Sequence, residues 1–179
     1  MIYIALVRGI NVGGNNLVGM SDLRALCGKL GFADARTLLQ SGNLLFEGSG
    51  APRALEARLE QGAKRHLDRP LEFFVRSSEE WDAIIAGNPF RSEAKSDPSH
   101  LLVACLKAAP PASGVKALQA AIVGRERVRV RGREGYLIYP DGIARSKLTA
   151  PLIDRSLATR STARNWNTVL KIQALARSA

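Results

Sequence analysis

Residues 2–76 read as six elements in the order β-α-β-β-α-β, and few folds accept that order. Ile2–Val7 is a compact apolar run, read as a buried strand. Leu23, Leu26, Cys27 and Leu30 recur at i, i+3, i+4 and i+7, the stripe of an amphipathic helix. Ser21 is expected to cap it, with Asp22 in its positively polarised first turn and Gly31 as its stop. Residues 36–40 and 44–47 flank Ser41-Gly42-Asn43, a hairpin signature. After Gly48-Ser49-Gly50, Pro52 opens a second helix whose inner face is read as Leu55, Leu59, Ala63 and His66. Residues 71–76 supply the closing strand. A hairpin set between two helices, with a strand at each end, is the split βαβ, ferredoxin-like unit.

The remainder is read less regularly. Ser77-x-x-Glu80 is a capping box. Trp81, Ile84 and Ile85 form the stripe of the helix it opens, which Gly87 ends. Residues 88–99 are polar with two prolines and are expected to be helix-poor. Leu101–Leu106 is a strand, and Val115, Leu118 and Ile122 line a helix beyond Pro110-Pro111. Residues 128–130 and 136–139 make a hairpin around Gly132-Arg133-Glu134-Gly135, and Pro140-Asp141-Gly142 has the residue order of a type I turn. Helices are expected from Thr149 and from Ser161 or Thr162. That order, α-β-α-β-β-α-α, repeats the first half shifted by one strand, with no repeat in the sequence itself. The expected architecture is α+β: two ferredoxin-like subdomains, residues 1–76 and 77–179, each a mainly antiparallel sheet with helices on one face. The second would carry two terminal helices.

With 179 residues, 46% of them hydrophobic, the chain has the material for a core without staples. The first apolar run meets Arg8 too soon for a signal peptide, and no run is long enough to span a bilayer. The expectation is a cytoplasmic protein with no membrane partner. Cys27 and Cys105 sit among leucines and are read as free buried thiols. With only His66 and His100 beside them, no metal-ligand spacing exists; no metal and no cofactor are expected.

Net charge is +10. Residues 1–77 carry 10 Lys/Arg against 7 Asp/Glu, whereas residues 78–179 carry 16 against 9. Basic excess favours phosphate-bearing partners, nucleic acid or a nucleotide, although a solvated basic surface accounts for it equally.

Four stretches could carry chemistry. The first is Arg8-Gly9-Ile10-Asn11-Val12-Gly13-Gly14-Asn15-Asn16, between the first strand and the first helix. Glycine-rich backbone can form an anion nest, and Arg8 can make a bidentate phosphate contact. Neither a Walker A loop nor G-x-G-x-x-G is present. The bland reading is a structural loop, with asparagines capping turns and Arg8 paired to an acid. Ser41 and Asn43 are second. A turn explains them fully, yet antiparallel pairing of the first and third strands would bring them beside Arg8. Third are Arg125, Arg127, Arg129, Arg131 and Arg133, which would line one face of a strand at about 6.8 Å spacing. That suits successive phosphates of a single strand, but an exposed sheet face or a charged, aggregation-resistant edge is the reading preferred, since the aromatic platforms of single-strand binders are few here. The fourth set is Arg145, Ser146 and Lys147 with Thr162, Arg164 and Asn165, a basic group beside an expected helix N-terminus. No nucleophile elbow and no paired carboxylates accompany the glycine loop, which leaves an enzymatic reading without assigned residues.

Several blocks, taken jointly, carry a family resemblance. They are residues 3–16, Met20-x-Asp22-Leu23-Arg24, Leu39-Gln40-Ser41-Gly42-Asn43, Asn88-Pro89-Phe90, Gly142-x-x-Arg145-Ser146-Lys147-Leu148 and Thr162-x-Arg164-Asn165-Trp166-x-Thr168-Val169. The chain resembles the uncharacterised bacterial domain-of-unknown-function family 1697. The resemblance implies an α+β protein of two related subdomains and no assigned reaction. Many relatives place Lys where this chain has Leu17. The leading functional expectation is binding of a phosphate-bearing ligand through the 8–16 loop. The alternatives are a small-molecule enzyme with its site between the subdomains and a structural or interaction module. Nothing in the sequence sets an oligomeric state.

Overall fold

The computed structural model describes residues 1–14 and 16–178. The chain forms two compact units, Met1–Ala83 with Ile172–Ala179 and Ile84–Lys171. The first contains β1 (Ile2–Val7), α1 (Met20–Lys29), β2 (Ala33–Leu38), β3 (Asn43–Glu47), α2 (Pro52–Leu67) and β4 (Phe73–Ser77). Its sheet has the order β2-β3-β1-β4, antiparallel at every pairing. Tyr3, Ala5 and Val7 turn to the face where Leu23, Leu26 and Cys27 of α1 and Leu55, Leu59 and Ala63 of α2 complete one core. Alternation along β1 and the helical periods of α1 and α2 therefore meet on one face, as the sequence pattern requires.

The second unit repeats that plan. β5 (Leu101–Leu106), α5 (Ala112–Ala120), β6 (Arg127–Arg131), β7 (Glu134–Ile138), α6 (Ala150–Leu157) and β8 (Ser161–Asn165) give the sheet order β6-β7-β5-β8, again antiparallel. Leu118 of α5 and Ile153 and Leu157 of α6 pack with Ala104, Leu106 and Leu137. The chain passes from the first unit to the second within α3 (Ser78–Ala86) and returns within α7 (Trp166–Arg177); α4 (Arg91–Ser96) lies in the second unit.

Four local expectations are corrected. Gly19, not Ser21, is the N-cap of α1. A Cβ there would stand 2.8 Å from Asp22 Oδ2, so glycine leaves the third helical residue room to fold back over the N-terminus. His66 is exposed; the inner face of α2 runs through Leu55, Glu56, Leu59, Gly62 and Ala63, and the neighbouring Leu67, not His66, continues it against the core. Residues 91–96 of the expected helix-poor stretch are helical, entered through Phe90, whose N–H donates to Asn88 Oδ1 at 2.9 Å. Ser161 and Thr162 cap nothing: they belong to β8, which β5 recruits as its second neighbour. Asn165 caps α7 instead, its Oδ1 accepting from Thr168 N at 2.9 Å. The second half is thus a complete β-α-β-β-α-β unit and not a shifted one.

The capping box is formed as read. Ser77 N donates to Glu80 Oε2 at 2.9 Å and Glu80 N donates to Ser77 Oγ at 3.1 Å. Thr149 caps α6, and the N–H of Gly142 donates to Tyr139 O across the Pro140-Asp141 turn at 2.9 Å.

Candidate functional site

β1 and β2 point the same way, and β3 and β4 oppose them. Three connections therefore leave the first sheet at one end: residues 8–19, the hairpin turn 39–42, and residues 68–72. Hydrogen bonds join all three. Val7 N donates to Gly42 O at 2.8 Å and Arg8 N to Glu72 O at 3.0 Å. Arg69 Nη1 donates to Leu17 O at 2.8 Å. Arg8 Nε stands 3.9 Å from Glu72 Oε2.

Asn11 holds the long loop in shape. Its Nδ2 donates to Val18 O at 3.0 Å and to Gln40 O at 2.7 Å, and its Oδ1 accepts from Val18 N at 2.9 Å. Asn16 Nδ2 donates to Gly9 O at 3.0 Å. Ile10 and Val18 anchor the two arms in the core. This is a closed Ω-loop built by its own side chains. Gly9, Asn11, Gly13, Gly14 and Asn16 all adopt positive φ, as do Leu39 and Gly42 in the facing turn. Such conformations cluster where structure is held for a task. The amides of Asn11 and Asn16 are directed into the loop. Asn43 is fully buried, its Nδ2 donating to Leu38 O at 2.8 Å and to Ser41 Oγ at 3.1 Å. Among the described residues the loop presents Gly9, Val12, Gly13, Gly14, Asn16 and Leu17 to solvent, and Leu39 of the facing turn is exposed as well. Asn15 lies outside the described residues.

The other sequence-selected residues belong to the second unit. Arg145, Ser146 and Lys147 follow the Pro140-Asp141 turn and line a pocket of about 210 Å³ with Gly124, Glu126 and Asp141. Sequence reading missed both acids, because Glu126 looked like one face of the arginine alternation and Asp141 like a turn residue. Thr162, Arg164 and Asn165 lie on β8. Thr162 is buried, and Arg164 Nη1 donates to Thr162 Oγ1 and Ala163 O at 3.0 and 2.9 Å. Burial pushes the Arg164 guanidinium down to about 10.

Of the arginine ladder, only Arg127, Arg129 and Arg131 lie on β6, alternating with the inward Val128 and Val130. Arg125 precedes the strand and pairs with Asp141; Arg133 sits in the hairpin turn. Arg127 pairs with Glu93 and lies over the Phe90 ring, 5.1 Å from its centroid, and Arg131 Nη1 donates to Gly87 O at 2.8 Å. β6 is an edge strand of its sheet, and charge on an edge deters strand addition.

Both cysteines are free and buried, and burial pushes the Cys27 thiol up to about 12. Among the described residues no group of three or more His, Cys, Asp and Glu could hold a metal ion. No described helix is long and apolar enough to cross a membrane.

Comparison with known proteins agrees with this architecture. A solved structure described as a conserved bacterial protein from Streptococcus pneumoniae superposes with a TM-score of 0.75 at 24% identity, over 98% of each chain. That likeness shows the fold. No curated protein matches the chain. Residues 1–136, which include the loop and the arginine ladder, match the family described as proteins of unknown function, DUF1697, and the chain belongs to that family.

Proposed function

We propose that this chain binds a phosphate-bearing ligand, a nucleotide or a segment of nucleic acid, at the loop end of its first unit. The observation that carries the reading is the concentration of left-handed backbone there: five described residues of one loop and two of the turn it is tied to. A Cβ at Gly9, Gly13 or Gly14 would meet nothing within 4 Å, so these glycines serve φ and leave the backbone open to approach. Arg8 and Arg69 supply positive charge beside it. Val12, Leu17 and Leu39 are 67%, 63% and 50% exposed. A nucleotide offers both an anion for the arginines and a flat apolar face for those side chains, which inorganic phosphate does not.

The test is fluorescence anisotropy with a labelled nucleotide and a labelled single-stranded oligonucleotide at low and physiological salt. Affinity should fall with salt and weaken in Arg8→Ala. Absence of binding to both probes at low salt would overturn the reading. The same exposed apolar residues favour a second one, an interaction module that docks another protein. Self-association, measured by sedimentation and abolished by Leu39→Ser with nucleotide binding absent, would favour it.

A further inference from the structure

We infer that the pocket in the second unit is a separate site for a small phosphate monoester. It stands at the end of that sheet where β5 begins, on the connections 121–126 and 139–149. The corresponding β3–α2 connection of the first unit is only residues 48–51, whereas the first unit instead lengthens its β1–α1 loop. Each half therefore elaborates a different end of the same fold.

The chemistry follows from which charges are already satisfied. Both acids are engaged: Glu126 Oε1 accepts from Ser146 Oγ, and Asp141 takes a forked pair from Arg125 Nε and Nη2. The other Glu126 oxygen, Oε2, is buried and has no hydrogen-bond partner among the described residues. Arg145 and Lys147 make no side-chain hydrogen bond or ion pair among the described residues, and both are exposed. Ser146, between them, is fixed from two sides, donating to Glu126 and accepting from Leu148 N at 3.0 Å, and Leu148 is buried in the core. Residues 145–147 are thus a segment whose backbone is pinned at Ser146 and which presents two cations at the pocket rim, where a dianion would order their side chains. About 210 Å³ admits a sugar-sized body on the phosphate, against Val123 and Gly142, and is too small for a polynucleotide backbone to pass through.

The experiment is calorimetric titration of the full-length protein with ribose 5-phosphate and, separately, inorganic phosphate at low ionic strength. Ribose 5-phosphate should bind saturably and more tightly than inorganic phosphate. Lys147→Ala and Arg145→Ala, at exposed positions that leave the thermal midpoint unchanged, should each weaken it by about tenfold or more. Arg8→Ala should leave it unaltered, so that failure here is distinguishable from failure at the loop of the first unit. Equal binding of the two probes, no saturable binding, or full affinity in the Lys147→Ala/Arg145→Ala double variant would overturn the proposal.

Discussion

Arg76 and Arg164 hold the same register position in the two halves. Arg76 of β4 pairs with Ile4 of β1, and Arg164 of β8 pairs with Val103 of β5. Each is followed at once by the residue that caps the next helix, Ser77 or Asn165. A strand that closes on an arginine, fully buried in β4 and partly buried in β8, and turns directly into a capped helix therefore occurs twice, although the two sequences share little else.

For Arg76 the consequence is energetic. Its guanidinium is 1% exposed, with Nη1 donating to Val75 O at 2.9 Å and standing 3.9 Å from Glu56 Oε1. Glu56 is itself buried and accepts from Val75 N at 2.8 Å. Arg76→Ala would remove the guanidinium beside that enclosed carboxylate, at a cost of about 3–5 kcal/mol. Urea denaturation reads the change, and Glu56→Gln in the same background should recover part of it. A loss below about 1 kcal/mol would mean that the pair behaves as though it were at the surface.

Gly42 and Gly14 share a left-handed φ, +75° and +76°, but not their surroundings. A Cβ on Gly42 would stand 2.7 Å from Ile10 Cδ1 and 2.9 Å from Val7 Cβ, whereas one on Gly14 would meet nothing. Gly14→Ala should cost about 1 kcal/mol, the price of φ alone. Gly42→Ala adds overpacking against a strand residue and should cost about 2–4 kcal/mol in all. Equal midpoints for the two variants would show that the turn yields freely.

How much of this was readable from the sequence depends on whether a feature is local or a consequence of pairing. Period and punctuation are local, so β1, α1, the first hairpin and the Ser77–Glu80 capping box were legible. β8 was not. Ser161-Thr162 has the signature of a helix cap, and only the open edge of β5 turns it into a strand. The same limit governs the candidate sites. That residues 8–16 form a special loop is visible from Gly and Asn spacing; that Asn11 aims its amide inward at Val18 and Gln40 is decided by a turn nearly thirty residues away. Glu126 and Asp141 meet at one pocket because two connections of the second sheet leave at the same end, which no spacing encodes.

The Ser146 hydroxyl, and after it the backbone N–H of Glu126, hold the Glu126 carboxyl below its ordinary value of 4.5. A carboxyl depressed in the folded state contributes stability above its unfolded value and loses it as pH falls through the lower folded value. Acid titration of the thermal midpoint should therefore show a decline below about pH 4.5 that is shallower in Ser146→Ala. At neutral pH that variant also loses the contact to Leu148 N, and it should cost about 1–2 kcal/mol. Parallel acid profiles would show that Ser146 does not hold Glu126.

Cys27 and Cys105 should both be silent to thiol reagents in the native protein. Each is 0% exposed, and the Cys27 thiol is far from ionising at pH 8. Colour development with an aromatic disulfide reagent should appear only on addition of guanidinium, and then for two thiols. Rapid labelling of one thiol without denaturant would reveal local opening of β5 or α1.

Leu39 is the most unusual residue of the first hairpin. It holds φ +59° and is 50% exposed, so neither its backbone nor its side chain gains from folding as it does. A bulky residue in the left-handed region costs about 1–2 kcal/mol, which glycine would not incur. Leu39→Gly should therefore leave stability unchanged or raise it by about 1 kcal/mol, after allowing for the greater entropy of an unfolded glycine. The neighbouring Gln40 O still accepts from Asn11 Nδ2, so the loop would keep its shape in the variant. If the end of the first sheet binds a nucleotide, Leu39→Gly should weaken that binding while stabilising the protein, because the exposed side chain is then part of the surface that meets the ligand. A variant that is more stable and binds the labelled nucleotide as the wild type does would remove Leu39 from the site, leaving the arginines and the glycine backbone to carry it.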